Sequence, residues 1–220
     1  FYGLWLGDGH CARLAITTSD HEVRNFLSRY ANSINYYTEE QNTHAATGGA
    51  NPNCWDIKLY PSNCPRKKGV KINSPLWDFL KSSQSGGYKN IKLEYLTADK
   101  NTRLELLAGL IDSDGNLNGG GFEISTKDRF LCDDILHLAR SCGFAAYASD
   151  KIVNSYVYKR IFISGDCDKI PTKILRKQAK PRKQIKRVTV TGFSILPLEN
   201  GNYYGFTLDG DGRFLLGDFT

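Results

Sequence analysis

The chain has 220 residues, of which 40% are hydrophobic and 12% aromatic. This length is enough to bury a substantial core, as one large domain or two small ones. No apolar run reaches the roughly 18 residues of a membrane span, so we predict no association with a membrane. The net charge of +6 favours a polyanionic partner.

The positive charge is unevenly distributed along the chain. Residues 1–187 carry 28 bases and 19 acids, whereas the residues from Val188 onward carry one base and four acids. Basic clusters lie at 66–68 and at 176–187, and the second has seven bases and no acid. We predict that both clusters contact the polyanion. The candidate binding residues are Arg66, Lys67, Lys68, Arg176, Lys177, Lys180 and Arg182.

The six cysteines are scattered, and no two of them form a Cys-x-x-Cys pair. Their positions lack the four-ligand spacing of a structural zinc site. The chain also begins without the basic, apolar and small-residue pattern of a secretory signal. We therefore expect reduced thiols and an intracellular protein, nuclear if the source is eukaryotic.

Helix and strand patterns alternate through the first hundred residues. Apolar residues recur at helical spacing after Ser19 and Asp20, either of which could cap a helix. Ser74 followed by Pro75 is typical of a helix start, with the serine as cap and the proline at the first helical position. Strands are predicted at 12–18, 34–40 and 55–60, and a loop at 41–53.

The second half follows a similar order. We predict a motif helix, a strand near 121–125, a helix at about 128–141, strands near 144–148 and 156–164, and a helix near 170–177. The predicted order of helix, strands and helix therefore occurs twice along the chain. Residues 188–220 differ in charge and pattern, and strands at 188–190 and 203–208 indicate a separate β segment.

The most informative stretch is Leu-Ala-Gly-Leu-Ile-Asp-Ser-Asp-Gly at 107–115, which joins an apolar helix to carboxylates at its end. Residues 2–9 repeat its order of small, apolar and acidic residues 106 positions earlier. Of the two acids in the later copy, only Asp114 has a counterpart, which is Asp8. Leu6 stands where the later copy has Asp112.

Small residues one turn apart line one face of each motif helix. They are Gly3 and Gly7 in the first helix, and Gly109 and Ser113 in the second. Such spacing lets two helix backbones approach closely. Packed helices would end together and bring the two motif acids side by side. Adjacent carboxylates suit Mg²⁺, which also binds phosphate oxygens, and they indicate a centre for phosphodiester cleavage.

The two motifs resemble those of the LAGLIDADG homing endonucleases, because residues 107–115 differ from the family's name only at Ser113. The resemblance extends to the endonucleases found in inteins. It is carried, in the same order, by the stretches at 3–9, 74–78, 89–91 and 138–143. It covers nearly the whole chain.

The resemblance implies an α+β protein in which the αββαββα LAGLIDADG fold occurs twice, related by a pseudo-twofold axis. The first copy would be residues 1–100 and the second residues 101–187. A saddle of two sheets would straddle double-stranded DNA at a long recognition site, and the protein would act as a monomer. Asp8 and Asp114 would bind Mg²⁺, with Mn²⁺ as a possible substitute, and each site would cut one strand.

Members of the family also place a lysine near each acid. The resemblance assigns Lys89 to the first site. The second lysine should follow the last helix within the basic stretch, where Lys183 fits best and Lys177 and Lys180 are rivals. An ammonium beside the scissile phosphate can stabilise developing charge or position the attacking water.

Residues 188–220 resemble the C-terminal part of an intein splicing domain. An intein of this type would continue to a terminal His-Asn and would begin with a splicing half led by Cys or Ser. We therefore expect that the chain is part of a longer one and does not splice as given. Two other functions are considered: a catalytically inactive DNA- or RNA-binding module on the same fold, and a fragment of a protein-splicing element.

Overall fold

The computed structural model describes residues 1–43, 53–64, 73–184, 187, 188, 190 and 192–217. Most of the loop predicted at 41–53 lies outside these ranges. So do Arg66, Lys67 and Lys68, which we predicted to contact a polyanion. No helix in the described ranges has the length and apolar character needed to cross a membrane.

Helices occupy both halves of the described chain. They are α1 (Tyr2–Asp8), α2 (His21–Ser33), α3 (Pro75–Ser82), α4 (Leu93–Leu96), α5 (Lys100–Asp114) and α6 (Arg129–Ser141). The sequence predicted α1, α2, α3, α5 and α6. Several begin at a side-chain cap: Ser74 accepts a hydrogen bond from the Trp77 amide at 3.2 Å, and Asp128 accepts one from the Phe130 amide at 2.8 Å.

The strands form two larger sheets and one small hairpin. They are β1 (Ala15–Thr18), β2 (Tyr36–Asn42), β3 (Trp55–Pro61), β4 (Gln84–Ser85), β5 (Tyr88–Lys89), β6 (Gly115–Asn118), β7 (Gly121–Thr126), β8 (Ala145–Val153) and β9 (Tyr156–Ser164). The sequence did not predict β4, β5 or β6. The turn between β4 and β5 uses Gly86 and Gly87, both at positive φ.

The two larger sheets have matching strand orders. The first is antiparallel in the order β1-β3-β2, and the second is antiparallel in the order β6-β7-β9-β8. Without its edge strand β6, the second sheet has the order of the first. In the first half, a single β-bridge joins Gly9 to Ile16. It corresponds to the pairing of Gly115 in β6 with Ile124 in the second half. Each half thus has a motif helix, a sheet and a packing helix.

Helices α1 and α5 lie together at the centre of the molecule. Trp5, Leu107 and Ile111 are completely buried. Helix α2 packs on the first sheet and α6 on the second, so that each sheet has one covered face. This arrangement leaves the opposite face of each sheet available for a partner.

The helix predicted at 170–177 is wrong. The segment contains only a short 3₁₀ turn at Leu175–Lys177 and follows another at Cys167–Lys169. The buried Asp112 carboxylate accepts hydrogen bonds from the amides of Lys173 and Ile174. These contacts hold the segment open and explain why it does not coil into a helix.

The strands predicted at 188–190 and 203–208 are also wrong for the residues that the structure describes there. Residues 192–217 contain no helix or strand, and nearly all of them are exposed. A strand needs a hydrogen-bonding neighbour, and none of the described residues pairs with this segment.

Candidate active site

The motif helices α1 and α5 touch through their backbones. A Cβ atom added to Gly109 would lie 2.8 Å from the Leu4 amide nitrogen and 2.9 Å from the Gly3 Cα atom. One added to Gly3 would clash with the Leu106 carbonyl oxygen. The close approach predicted from the small residues is confirmed, and it fixes the two helix ends relative to each other.

The two motif acids stand where these helices end. Asp8 is the last residue of α1, and Asp114 is the last residue of α5. A Cβ atom on Gly7 would lie 2.9 Å from the Asp114 Oδ2 atom, so the second carboxylate lies against the first helix. Ser113 turns its hydroxyl back and donates to the Gly109 carbonyl at 3.0 Å. The absence of a side chain on Gly7 therefore makes room for Ser113 first and then for the second acid.

Both acids have raised pKa values. Surrounding protein atoms and then the Asp114 charge raise the pKa of Asp8 to about 6, although the carboxylate keeps an exposed edge. Burial also raises the pKa of Asp114, while the charges of Lys89 and Lys177 lower it. Two carboxylates held in this way favour a cation that would neutralise them.

Lys89 reaches the end of α1 from the small hairpin. Its Nζ donates to the carbonyls of Trp5 at 2.8 Å, Leu6 at 3.2 Å and Gly7 at 3.2 Å. It also donates to the Gly9 carbonyl and lies 4.8 Å from the centre of the Trp5 ring. The ammonium thus occupies the negative end of the helix dipole, next to the acid.

Lys177 makes the corresponding contacts at the end of α5. Its Nζ donates to the carbonyls of Ile111 at 2.9 Å, Asp112 at 2.7 Å and Ser113 at 3.2 Å. Lys183 was the residue predicted from the sequence, but its side chain is exposed and Lys177 is buried. The structure therefore brings the rival lysine to the second helix end. Spacing alone could not separate them, because the chain turns by 3₁₀ geometry where a helix was predicted.

Burial is the largest influence on both ammonium groups, and it lowers the pKa of Lys89 and of Lys177. The two acids oppose this effect at Lys89, and Asp8 is among the acids that oppose it at Lys177. Each lysine pKa thus reflects a nearby motif acid. The site is therefore one electrostatic unit made of two carboxylates and two ammonium groups.

Asp112 has a different environment from Asp114. Its side chain is only 2% exposed and accepts from the amides of Lys173 at 2.8 Å and Ile174 at 3.2 Å. It holds the backbone that leads to Lys177. Asp112 is thus a buried anchor, whereas Asp8 and Asp114 share the helix ends.

The other predicted binding residues around 176–187 are dispersed. Arg176 Nη2 donates to both carboxylate oxygens of Asp20 at 2.8 Å, so its charge is engaged within the protein. Arg182 donates to the Gly119 carbonyl at 3.0 Å. Lys180 is exposed. Two residues of the basic stretch thus make contacts within the protein, to Asp20 and to the Gly119 carbonyl.

The uncovered sheet faces carry charged residues that the sequence analysis did not select. Asp56 lies on the face opposite Ile57 and is itself buried. It forms an ion pair with Arg13 at 3.0 Å, and its Oδ1 atom lies 3.1 Å from the His10 Nε2 atom. On the second sheet, Arg160 pairs with Glu123 at 3.1 Å. Period-two alternation in each strand could have indicated these positions.

The donor set at the helix ends suits a hard divalent cation. Mg²⁺ is commonly held by one or two carboxylates together with waters and substrate phosphates. Asp8 and Asp114 supply two carboxylates, and the described residues contain no group of three or more His, Cys, Asp or Glu side chains that could hold a metal ion. A site of this composition would be completed by water and by oxygen atoms of a ligand.

Comparison with known proteins gives a family match in the second half of the chain. A family model described as homing endonuclease matches residues 90–191. A curated relative, the replicative DNA helicase DnaB of Mycobacterium intracellulare, is 40% identical over 68 residues. That match is 30% of this chain and 12% of the helicase, so the chain spans a small part of that relative.

Solved structures of the homing endonuclease I-DmoI are also similar to this chain. Mesophilic variants of I-DmoI match with a TM-score of 0.50 at 13% identity, over 74% of this chain and 85% of theirs. I-DmoI in complex with DNA and Mn matches with a TM-score of 0.49 at 13% identity, over 74% of this chain and 86% of that one. The first likeness shows a shared mixed α/β fold.

Proposed function

We propose that this protein is a site-specific homing endonuclease that makes a double-strand break in DNA by metal-dependent phosphodiester hydrolysis. The observation that carries the proposal is the pair of acids Asp8 and Asp114 at the ends of two touching helices, each with a lysine at the same helix end. The family match at 90–191, which includes the second motif, supports the same function.

The repeat of structural elements supports the proposal that both DNA strands are cut. Each half has a motif helix, a sheet and a packing helix, and each contributes one acid and one lysine. We propose that the halves arose by duplication and that each attacks one strand. The division into halves at 1–100 and 101–187 and a third segment at 188–220 stays a prediction.

Asp8 and Asp114 would hold a divalent cation, Mg²⁺ or Mn²⁺, with the DNA phosphates. When bound, the cation supplies Lewis-acid activation at the scissile phosphate. Lys89 and Lys177 add positive charge where the phosphate charge grows during hydrolysis. Among the lysines considered for the second site, Lys177 now replaces Lys183 in our proposal, because only Lys177 is shown donating to the end of α5.

We also propose that the endonuclease originates from an intein. This proposal rests on the stretches at 3–9, 74–78, 89–91 and 138–143, which resemble the endonuclease of the yeast vacuolar-ATPase intein. The short match to a helicase supports it, because an element inserted into different host proteins would share sequence with only part of such a relative. The DNA partner, the monomeric state and the intracellular location stay proposals.

The test is cleavage of a plasmid library that carries fragments of genomic DNA. The purified chain is incubated with the library in Mg²⁺, and in parallel with Mn²⁺ or EDTA, and the cut ends are captured and sequenced. We expect one recurrent site, cut on both strands only when a divalent metal is present. Binding without any cut in either metal would overturn the proposal and favour an inactive binding module.

A further inference from the structure

The two lysines of the site lie on short segments that cross to the opposite half of the chain. We name residues 88–92 the first lysine arm and residues 173–177 the second lysine arm. The first arm lies near the end of the first half, yet its Ile91 amide donates to the Asp134 Oδ2 atom on α6 at 3.1 Å. The second arm ends the second half, yet its Leu175 amide donates to the Glu22 Oε1 atom on α2 at 3.2 Å.

Each of these contacts lies two residues from the lysine on its arm. On the second arm the neighbouring Arg176 adds its contacts to both oxygens of Asp20, the residue before α2. Both arms have little regular hydrogen bonding of their own, since the first continues from a two-residue strand and the second holds one 3₁₀ turn. Each arm is also held within its own half, because the Tyr2 hydroxyl donates to the Asn90 carbonyl and accepts from the Lys92 amide, and Asp112 accepts from the amides of Lys173 and Ile174. The acceptors of the opposite half fix the part of each arm that lies two residues from its lysine.

A lysine side chain loses up to about 2 kcal/mol of conformational entropy when it is held in one place. The hydrogen bonds to the carbonyl groups at each helix end offset this cost only if the backbone of the arm already lies within reach of the helix end. The partly buried Asp134 and Glu22 carboxylates help to hold it there. They act on the site through the arms, without touching the motif acids.

We propose that Asp134 positions Lys89 and that Glu22, with Asp20, positions Lys177, so that docking of the opposite half holds each lysine at its helix end. This inference rests on the proposed function, because it assigns the two lysines to the two cleavage sites. The packing helices α2 and α6 are then reciprocal supports for the two sites, and cutting of both strands requires both halves together.

The first test measures the protein alone. Purified variants are treated with acetic anhydride for short times, and the acetylation rate of each lysine is read by mass spectrometry. We expect Asp134→Ala to speed acetylation of Lys89 by about tenfold while Lys177 changes little. Glu22→Ala should give the reverse pattern.

Matched controls separate positioning from general loosening. Asp133→Ala and Asn25→Ala change exposed residues on the same two helices, and both should leave the two rates unchanged. Asp134→Asn and Glu22→Gln keep an acceptor oxygen and should restore slow acetylation in part. They also serve if an alanine variant does not fold. Equal acceleration of both lysines in either variant, or acceleration of neither, would overturn the proposal.

The second test uses the plasmid that carries the site recovered from the library, with each strand labelled at its end. Asp134→Ala should slow cutting of one strand, and Glu22→Ala should slow cutting of the other. Equal slowing of cleavage of both strands would contradict the proposal that each arm positions the lysine of one cleavage site. If the wild-type chain cuts no DNA, the proposed function fails, whereas the acetylation pattern still decides whether the acids hold the lysines.

Discussion

Lys177 contacts the end of α5 as Lys89 contacts the end of α1. Each Nζ donates to successive carbonyls of the last helical turn, at distances that start at 2.7 Å and 2.8 Å. A cation at this position interacts favourably with the helix dipole. It also lies near a motif carboxylate, whose pKa it lowers. The same ammonium group thus stabilises a helix end and adds charge to the candidate active site.

Replacing Lys177 with methionine should impair one half of the reaction. Methionine keeps much of the buried volume but removes the charge, so we expect cutting of one strand to slow by about 10²-fold. The measurement is single-turnover cleavage of the recovered plasmid, with nicked and linear products separated. The matched variant Lys183→Met removes an exposed lysine of the same stretch and should cut both strands at the wild-type rate. The opposite ranking would restore the lysine preferred from the sequence.

Gly109→Ala should destabilise the folded protein. Alanine favours a helix over glycine by about 1 kcal/mol, but the new methyl group would press on the backbone of Gly3 and Leu4. We expect a net loss of roughly 2 kcal/mol in the free energy of unfolding, measured by urea denaturation. Gly205→Ala is the control, because nothing lies within 4 Å of the added Cβ. A stable Gly109→Ala protein would contradict the close contact between the helices.

Lys180 should contribute more to DNA affinity than Arg176. The Arg176 guanidinium is already paired with Asp20, whereas Lys180 is exposed. We expect Lys180→Gln to reduce the slope of log Kd against log salt by about one, and Arg176→Gln to leave it nearly unchanged. Fluorescence anisotropy on a duplex with the recovered site, in EDTA, measures both slopes. Equal slopes for the two variants would contradict the prediction that Lys180 contacts DNA and Arg176 does not.

The stability contribution of Asp134 should depend on pH. Burial first, and then the neighbouring Asp128 and Asp133, raise the pKa of Asp134 to about 6. The folded protein therefore keeps this proton in a range where the unfolded chain, with an ordinary value near 3.9, has lost it. Stability from this group is highest at low pH and is lost as the pH rises towards 6.

Asp134→Asn removes that loss, so the variant should be more stable than the wild type above pH 6, by roughly 2 kcal/mol after allowance for partial exposure. The difference should shrink as the pH falls towards 4. Urea denaturation across this range is the measurement, with Asp209→Asn as the control, because Asp209 is exposed in the segment that has no helix or strand. A difference that is constant with pH would contradict the raised pKa.

Much of the fold could be predicted from local patterns. Ser74 and Pro75 correctly placed the start of α3, and the apolar stripe after Asp20 correctly placed α2. The small residues Gly3 and Gly109 correctly predicted two helices in backbone contact. These features depend on residues a few positions apart, which is the range over which propensity and periodicity act.

The missed features depend on contacts between distant residues. The segment at 170–177 resembles a helix in isolation, but Asp112, some sixty positions earlier, takes the amide hydrogens of Lys173 and Ile174. That contact also decides which lysine reaches α5. The small β6 strand has few apolar residues, so its existence depends on pairing with β7 rather than on its own sequence. No local pattern carries this information.

The central claim is that two acids at paired helix ends cut two DNA strands. The most direct measurement uses the supercoiled plasmid that carries the recovered site, with Mg²⁺ and four proteins: the wild type, Asp8→Asn, Asp114→Asn and the double variant. We predict a linear product from the wild type, nicked circles from each single variant with breaks in opposite strands, and no cleavage by the double variant. Linear product from the double variant would contradict the account.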